Sequence, residues 1–132
     1  MENMGNYKFE NETDLPVLDQ NVLNDLRQSS GRSDGLDGLL KRVLLMFEAQ
    51  APMSFEHLRL VSARDDMAAL ADAVHGLKSM CANIGAAKVA DACNRMEVAA
   101  RSGGEIDIGA GLAEISNRLN EALGQIKRLQ TG

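Results

Sequence analysis

Aromatic side chains are scarce in this chain, with one tyrosine, three phenylalanines and no tryptophan in 132 residues. The apolar content of 45% is carried instead by Leu, Ala, Val, Ile and Met, a mixture that favours packed helices over sheets. Only two prolines occur, Pro16 and Pro52, both away from the longest periodic segments. Basic runs are absent and the formal net charge is −5, which argues against nonspecific binding to nucleic acid or to an anionic membrane, since both need clustered Lys and Arg. No apolar stretch approaches the roughly 18 residues of a membrane span. The first twenty residues carry no apolar signal-peptide core, so a cytoplasmic location is expected. The two cysteines, Cys81 and Cys93, do not form a CxxC pair, which leaves a zinc site or thiol redox motif with little support. Both fall at inward-facing positions and are expected to be buried structural thiols.

What is present is a repeating helical period. A chain of this length can bury one core without staples. Met1 to Asp14 is polar, rich in Asn and Glu and aperiodic, and reads as a flexible leader before a single domain over residues 15–132. Leu15, Leu18, Val22 and Leu26 predict a short amphipathic helix ending by Ser29-Ser30-Gly31. Ser33-Asp34-Gly35 offers capping chemistry for the next, with Leu36, Leu39, Leu40, Val43, Met46 and Phe47 on its inner side. Ala51-Pro52 predicts a break, with a new helix starting near Pro52 and packing through Phe55, Leu58 and Val61. Asp65 or Asp66 would cap the helix after it, and Gly85 would end that one. Ala86, Val89, Cys93, Met96 and Ala100 form another stripe, closed by Gly103-Gly104. Asp107 would then cap a last helix carrying Leu112, Ile115, Leu119, Ala122, Ile126 and Leu129. The expected fold is all-α, an antiparallel up-down four-helix bundle with an additional short N-terminal helix.

The stretch from Asp66 to Gly85 holds one of only two histidines, His75. Met67, Leu70, Val74, Leu77, Cys81 and Ile84 recur at steps of three and four and form the inward seam. At roughly 100° per residue, His75 falls about 130° from that seam and points mainly to solvent. Its neighbours at one and two turns are Ala68, Ala71, Asp72, Lys78, Ser79 and Ala82. An exposed face made mostly of small residues suits the docking of something flat. His57, between Glu56 and Leu58, has no comparable surroundings and reads as incidental.

His75-Gly76-Leu77-Lys78-Ser79, then Ala82-Asn83-Ile84-Gly85-Ala86, then Cys93-Asn94-Arg95-Met96-Glu97 resemble the pattern of histidine-containing phosphotransfer (HPt) domains. That pattern reads H-x-L-K-G/S, a glycine ten residues after the histidine, and an apolar-Glu pair on the following helix. The resemblance covers roughly Leu36 to Gly103. Met80 and Cys81 follow Ser79 where the family often has small polar residues; Met80 lies on a flank and bears on partner choice, not on the chemistry.

The resemblance implies a phosphorelay intermediate, a phosphocarrier that is not itself an enzyme. It implies His75 as the phosphoryl acceptor, with Lys78 and Ser79 as phosphoryl neighbours, and a docking face around Ala68, Ala71, Asp72, Lys78, Ser79 and Ala82. An imidazole in water titrates at about 6.5, so an exposed one offers a ring nitrogen lone pair at neutral pH. An ammonium one turn away can offset the charge of a transferring phosphoryl group. Partners implied are response-regulator receiver domains, with a hybrid histidine kinase as a candidate source, acting on a monomer. No cofactor is expected on this chain, and magnesium is expected on the receiver. Glu97 matches a family position but is assigned no catalytic role. Two other classes compete: a carboxylate-bridged metal enzyme, which needs two Glu-x-x-His motifs where this chain offers only Asp72-Ala73-Val74-His75, and a helical adaptor or docking bundle without transfer. The Glu-Leu-Arg-Thr-Pro continuation of histidine-kinase dimerisation helices is missing.

Overall fold

The computed structural model describes residues 14–28 and 38–131. The expected leader up to Thr13, the Ser29-Ser30-Gly31 stop, the Ser33-Asp34-Gly35 cap and Leu36 lie outside the described residues. Among the described residues five helices follow one another: α1 (Gln20–Gln28), α2 (Gly38–Ser62), α3 (Met67–Asn83), α4 (Ala87–Ser102) and α5 (Ile108–Thr131). α2 packs on α3, α3 on α4 and α4 on α5, while α2 also meets α5 and closes the ring. Short turns between successive helices make this an up-down four-helix bundle, with α1 laid against α2. There is no strand among the described residues.

The break expected at Pro52 does not occur. Leu40, Leu44, Phe47, Ala51, Leu58 and Val61 are all buried along one α2, with Pro52 inside the helix and exposed. An interior proline costs about 3 kcal/mol. Burying each large apolar side chain contributes roughly 1.5–3 kcal/mol, so a continuous inner face on both sides of Pro52 outweighs the penalty. Phe55 is only partly buried against this core.

Three residues placed on inner faces are exposed: Met46, Met67 and Leu129. From Val43 both i+3 and i+4 are inward candidates, and Phe47 takes the seat that Met46 could have held. Met67 and Leu129 lie at helix ends, where facing helices no longer cover them. The N-terminal helix is also shorter than its stripe suggested. Leu18 is buried on a non-helical turn, and Asp19 caps α1 by accepting a hydrogen bond from Asn21 N–H at 2.9 Å. The helical phase therefore begins at Gln20, and Leu23 becomes fully buried instead of Val22.

Three turns have local causes. Asp66 accepts from Ala69 N–H and Asp107 from Ala110 N–H, each at 3.0 Å, capping α3 and α5. At the end of α3, Ala86 N–H donates to the Cys81 carbonyl at 2.9 Å and Gly85 N–H to the Ala82 carbonyl at 3.0 Å, with Gly85 at φ 77, the left-handed Schellman closure. This turn is also clasped from outside. Asp19 N–H donates to the Gly85 carbonyl at 2.7 Å, and Lys88 N–H, in the uncapped first turn of α4, donates to the Pro16 carbonyl at 3.1 Å.

Gly85 thus meets two constraints. A side chain at this φ is strained, and an added Cβ would lie 2.9 Å from Val22 Cβ and 3.2 Å from the Asp19 carbonyl oxygen. Gly103 ends α4 at φ 76 with nothing within 4 Å. Gly103→Ala should cost about 1–2 kcal/mol for the left-handed backbone alone, whereas Gly85→Ala should cost about 1–3 kcal/mol more through overpacking against α1. Denaturant midpoints of the two variants measure the difference; equal losses would show that the α1 clasp yields freely.

Candidate functional site

His75 lies midway along α3, its side chain 52% exposed, and its Nδ1 is 2.9 Å from Oε2 of Glu97 on α4. Glu97 is the carboxylate that sequence reasoning passed over. Its position faces inward on α4, between Cys93 and Ala100 at four and three residues, and its side chain is only 9% exposed. A carboxylate so far withdrawn from water must be paired. Lys78 brings its ammonium 2.7 Å from Oε1, an ion pair that supplies the compensation for an oxygen receiving no well-aligned hydrogen bond. Arg101 donates from Nε to Oε2 at 3.0 Å. Lys78 also reaches the Asn94 side-chain oxygen at 3.3 Å, and a terminal nitrogen of Arg101 reaches Asp72 Oδ1 at 3.3 Å.

The Lys78 ammonium, then the hydrogen bonds from Arg101 and His75, outweigh the cost of burial and hold the Glu97 carboxyl down at about 2. An ionised carboxylate only accepts hydrogen bonds. The proton in the contact with His75 therefore sits on Nδ1, and in the neutral ring Nε2 keeps the lone pair. Nε2 has no hydrogen-bond partner among the described residues. The helices place these groups by simple spacing: His75 and Lys78 are one turn apart on α3, Glu97 and Arg101 one turn apart on α4. The α3–α4 pairing is the most extensive in the bundle.

Of the residues singled out from the sequence, His75, Lys78 and Asp72 join this network. Ser79, Ala68 and Ala82 are exposed on the same helix. Ala71 is not on that face: it is 1% exposed and belongs to the core. Gly76 is exposed with nothing within 4 Å of an added Cβ, so the surface beside His75 is open there. Met80 is half-buried and lines a shallow apolar groove with Leu26, Val43, Met46 and Phe47. Cys81 and Cys93 are free and fully buried, and burial pushes the Cys81 thiol up to about 12 and that of Cys93 higher still. His57 is exposed.

Among the described residues, no group of three or more His, Cys, Asp or Glu side chains is arranged to hold a metal ion. No helix among them is long and apolar enough to cross a membrane. What the arrangement offers is one oriented imidazole with a free nitrogen and two cations held on the same carboxylate.

Because Glu97 ionises near 2 in the folded protein against an ordinary 4.5, its contribution to stability is present in full above about 4.5. It is lost as pH falls from there toward 2, where the folded form must also take up the proton. Glu97→Gln should remove this component, so that stability measured by denaturation falls less steeply over that interval than in the wild type. Identical slopes would show that the carboxylate is not coupled to its cations.

Comparison with known proteins places this geometry in a family context. The family model described as Hpt domain matches residues 42–129. The chain is similar in structure to histidine-containing phosphotransfer protein B (HptB) from Pseudomonas aeruginosa PAO1, with a TM-score of 0.76 and 22% identity over 88% of this chain and 96% of that one. No curated protein matches by sequence.

Proposed function

The chain belongs to the Hpt domain family, and from that premise we propose that His75 is its phosphoryl acceptor, taking the group on Nε2 from a receiver aspartyl phosphate and passing it to another receiver. Members of the family are histidine phosphotransfer intermediates of two-component phosphorelays and act with receiver domains as carriers. The observation that carries the assignment to His75 is the 2.9 Å contact of its Nδ1 with an ionised Glu97, which leaves Nε2 as the free nucleophile.

The step balances without a base on this chain. The Nε2 lone pair forms the N–P bond as the bond between phosphorus and the aspartyl oxygen breaks, and the receiver keeps its carboxylate. The ring retains its Nδ1 proton and becomes positive, and Glu97 stabilises that charge through the hydrogen bond it already accepts. Lys78 can offset charge on the phosphoryl oxygens, and the Ser79 hydroxyl is one turn from the imidazole. Magnesium and the remaining machinery belong to the receiver on this reading, which also has the protein acting as a cytoplasmic monomer, with a hybrid histidine kinase as one source of phosphate.

The docking face comprises Ala68, Asp72, Gly76, Lys78, Ser79 and Ala82. In-line transfer needs the receiver's aspartate directly over the imidazole, and small side chains there let the two backbones approach. Such signalling encounters bury about 1,200 Å² or less, so one bulky residue matters. Ala71, being buried, drops out as a probe: an arginine there would disrupt the core instead of blocking access.

His75→Gln should abolish phosphoryl acceptance while leaving the fold intact, at a stability cost of about 1 kcal/mol from weakening the hydrogen bond to Glu97. The label on wild-type protein should be acid-labile and base-stable. Label accumulating in the variant would move the acceptor elsewhere. Ser79→Arg and Ala82→Arg should each slow transfer strongly, with a milder loss for Lys78→Ala. Wild-type transfer rates in both arginine variants would show that the receiver docks on another face.

A further inference from the structure

Glu97 Oε2 accepts from two donors at nearly equal distance, His75 Nδ1 at 2.9 Å and Arg101 Nε at 3.0 Å. Arg101 comes from the last turn of α4, four residues beyond Glu97 and two before the left-handed Gly103 that ends the helix, where a cation is favoured by the helix dipole. Its other arm crosses to Asp72, three residues before His75 on α3. Lys78, three residues after His75, binds the other oxygen of Glu97. The imidazole is thus bracketed along α3 by two cations tied to one carboxylate.

This arrangement addresses a conflict in using a carboxylate to orient a nucleophilic histidine. An anion beside an imidazole favours its protonated form, and an imidazolium has no lone pair with which to attack phosphorus. The charged groups of the network are Asp72 and Lys78 on α3 and Glu97 and Arg101 on α4. Two anions and two cations cancel while the imidazole is neutral, and protonation would add an uncompensated positive charge. Phosphorylation does the reverse, because a dianionic phosphoryl group on a positive ring adds net negative charge. Cations on Glu97 therefore disfavour protonation of the ring and favour its phosphorylation.

We propose that Arg101 is a positioning residue for phosphoryl transfer, acting through Glu97: it shares the oxygen that holds Nδ1–H of His75, fixes that oxygen between α3 and α4, and opposes protonation of the ring. The proposal rests on the reading of His75 as acceptor. Arg101 does not touch the phosphoryl group in this role, and its side chain, 49% exposed, contributes little to the core.

The test uses the full chain with one phosphorylated receiver, comparing wild type, Arg101→Gln and Arg101→Lys, with His75→Gln alongside. Arg101→Gln should displace the acid limb of the acceptance profile toward higher pH, lowering the rate at a given pH on that limb by about threefold. Any change in apparent affinity for the receiver, through release of Asp72, should be smaller than the change in rate. Arg101→Lys, which restores the charge, should return most of the rate. Imidazole nitrogen NMR should show the neutral tautomer, protonated on Nδ1 and bare on Nε2, less fully populated at neutral pH in Arg101→Gln than in wild type, with correspondingly more imidazolium. An unchanged profile and unchanged ring spectrum in Arg101→Gln would overturn the proposal, as would a loss confined to receiver affinity, which would make Arg101 a docking contact. Label persisting in His75→Gln would instead defeat the acceptor assignment, so the two failures are distinguishable.

Discussion

A carboxylate held almost entirely away from water has to be met by positive charge or give up its own. Glu97 keeps its charge because Lys78 and Arg101 reach it from two helices. Much of the site follows from that requirement. Lys78 is drawn in from the surface position its helix would otherwise give it, the ring of His75 acquires a fixed proton, and α3 and α4 are cross-linked at their solvent edge. A buried ion pair is weak evidence of net stability, since desolvation offsets much of the attraction. Its value here is geometric: breaking it would leave a charge stranded, so the groups stay in one arrangement.

That arrangement depends in turn on the register between α3 and α4, which the turn at Gly85 determines. The Schellman closure, the left-handed glycine and the two backbone bonds from Pro16 and Asp19 hold the hairpin at one end. Leu77 and Cys81 of α3 and Val89 and Cys93 of α4 are fully buried in the core that the two helices share. Burial holds both thiols in the protonated form, because an apolar surrounding disfavours the thiolate. The N-terminal segment, which looks peripheral in the chain, thereby acts on the site through the turn it clasps.

Chemistry and stability are largely separated across α3. One side of the helix is seam, and the outer side carries His75 between Ala68, Gly76, Ser79 and Ala82, residues that contribute little to packing. A carrier benefits from this division, because a partner can approach the imidazole without any rearrangement of the core. Glu97 is the exception, buried and polar at once, and it is where the two requirements meet.

The sequence by itself determined the helical class, the seam of α3 apart from Met67, the cap at Asp107 and a choice of Asp65 or Asp66 for α3, the stop at Gly85 and the outward position of His75 with Lys78 one turn on. These are local properties: a helix repeats every 3.6 residues, and capping depends on side chains two or three residues away. It also carried the family resemblance, through a motif lying mostly on one helix. Only the tertiary structure decided that α2 runs through Pro52, since the deciding energy is burial against other helices. It likewise decided that Phe47 is covered while Met46 is not, and that Ala71 is buried in the core and not on the exposed face of α3. The role of Glu97 belongs to the same category. It is separated from His75 by 22 residues, and a lone acidic residue on a predicted helix flank reads first as a solvated charge. Its position facing inward between Cys93 and Ala100 was the available signal, but whether such a carboxylate is stranded, solvated or paired depends on what the neighbouring helix presents to it, which no periodicity contains.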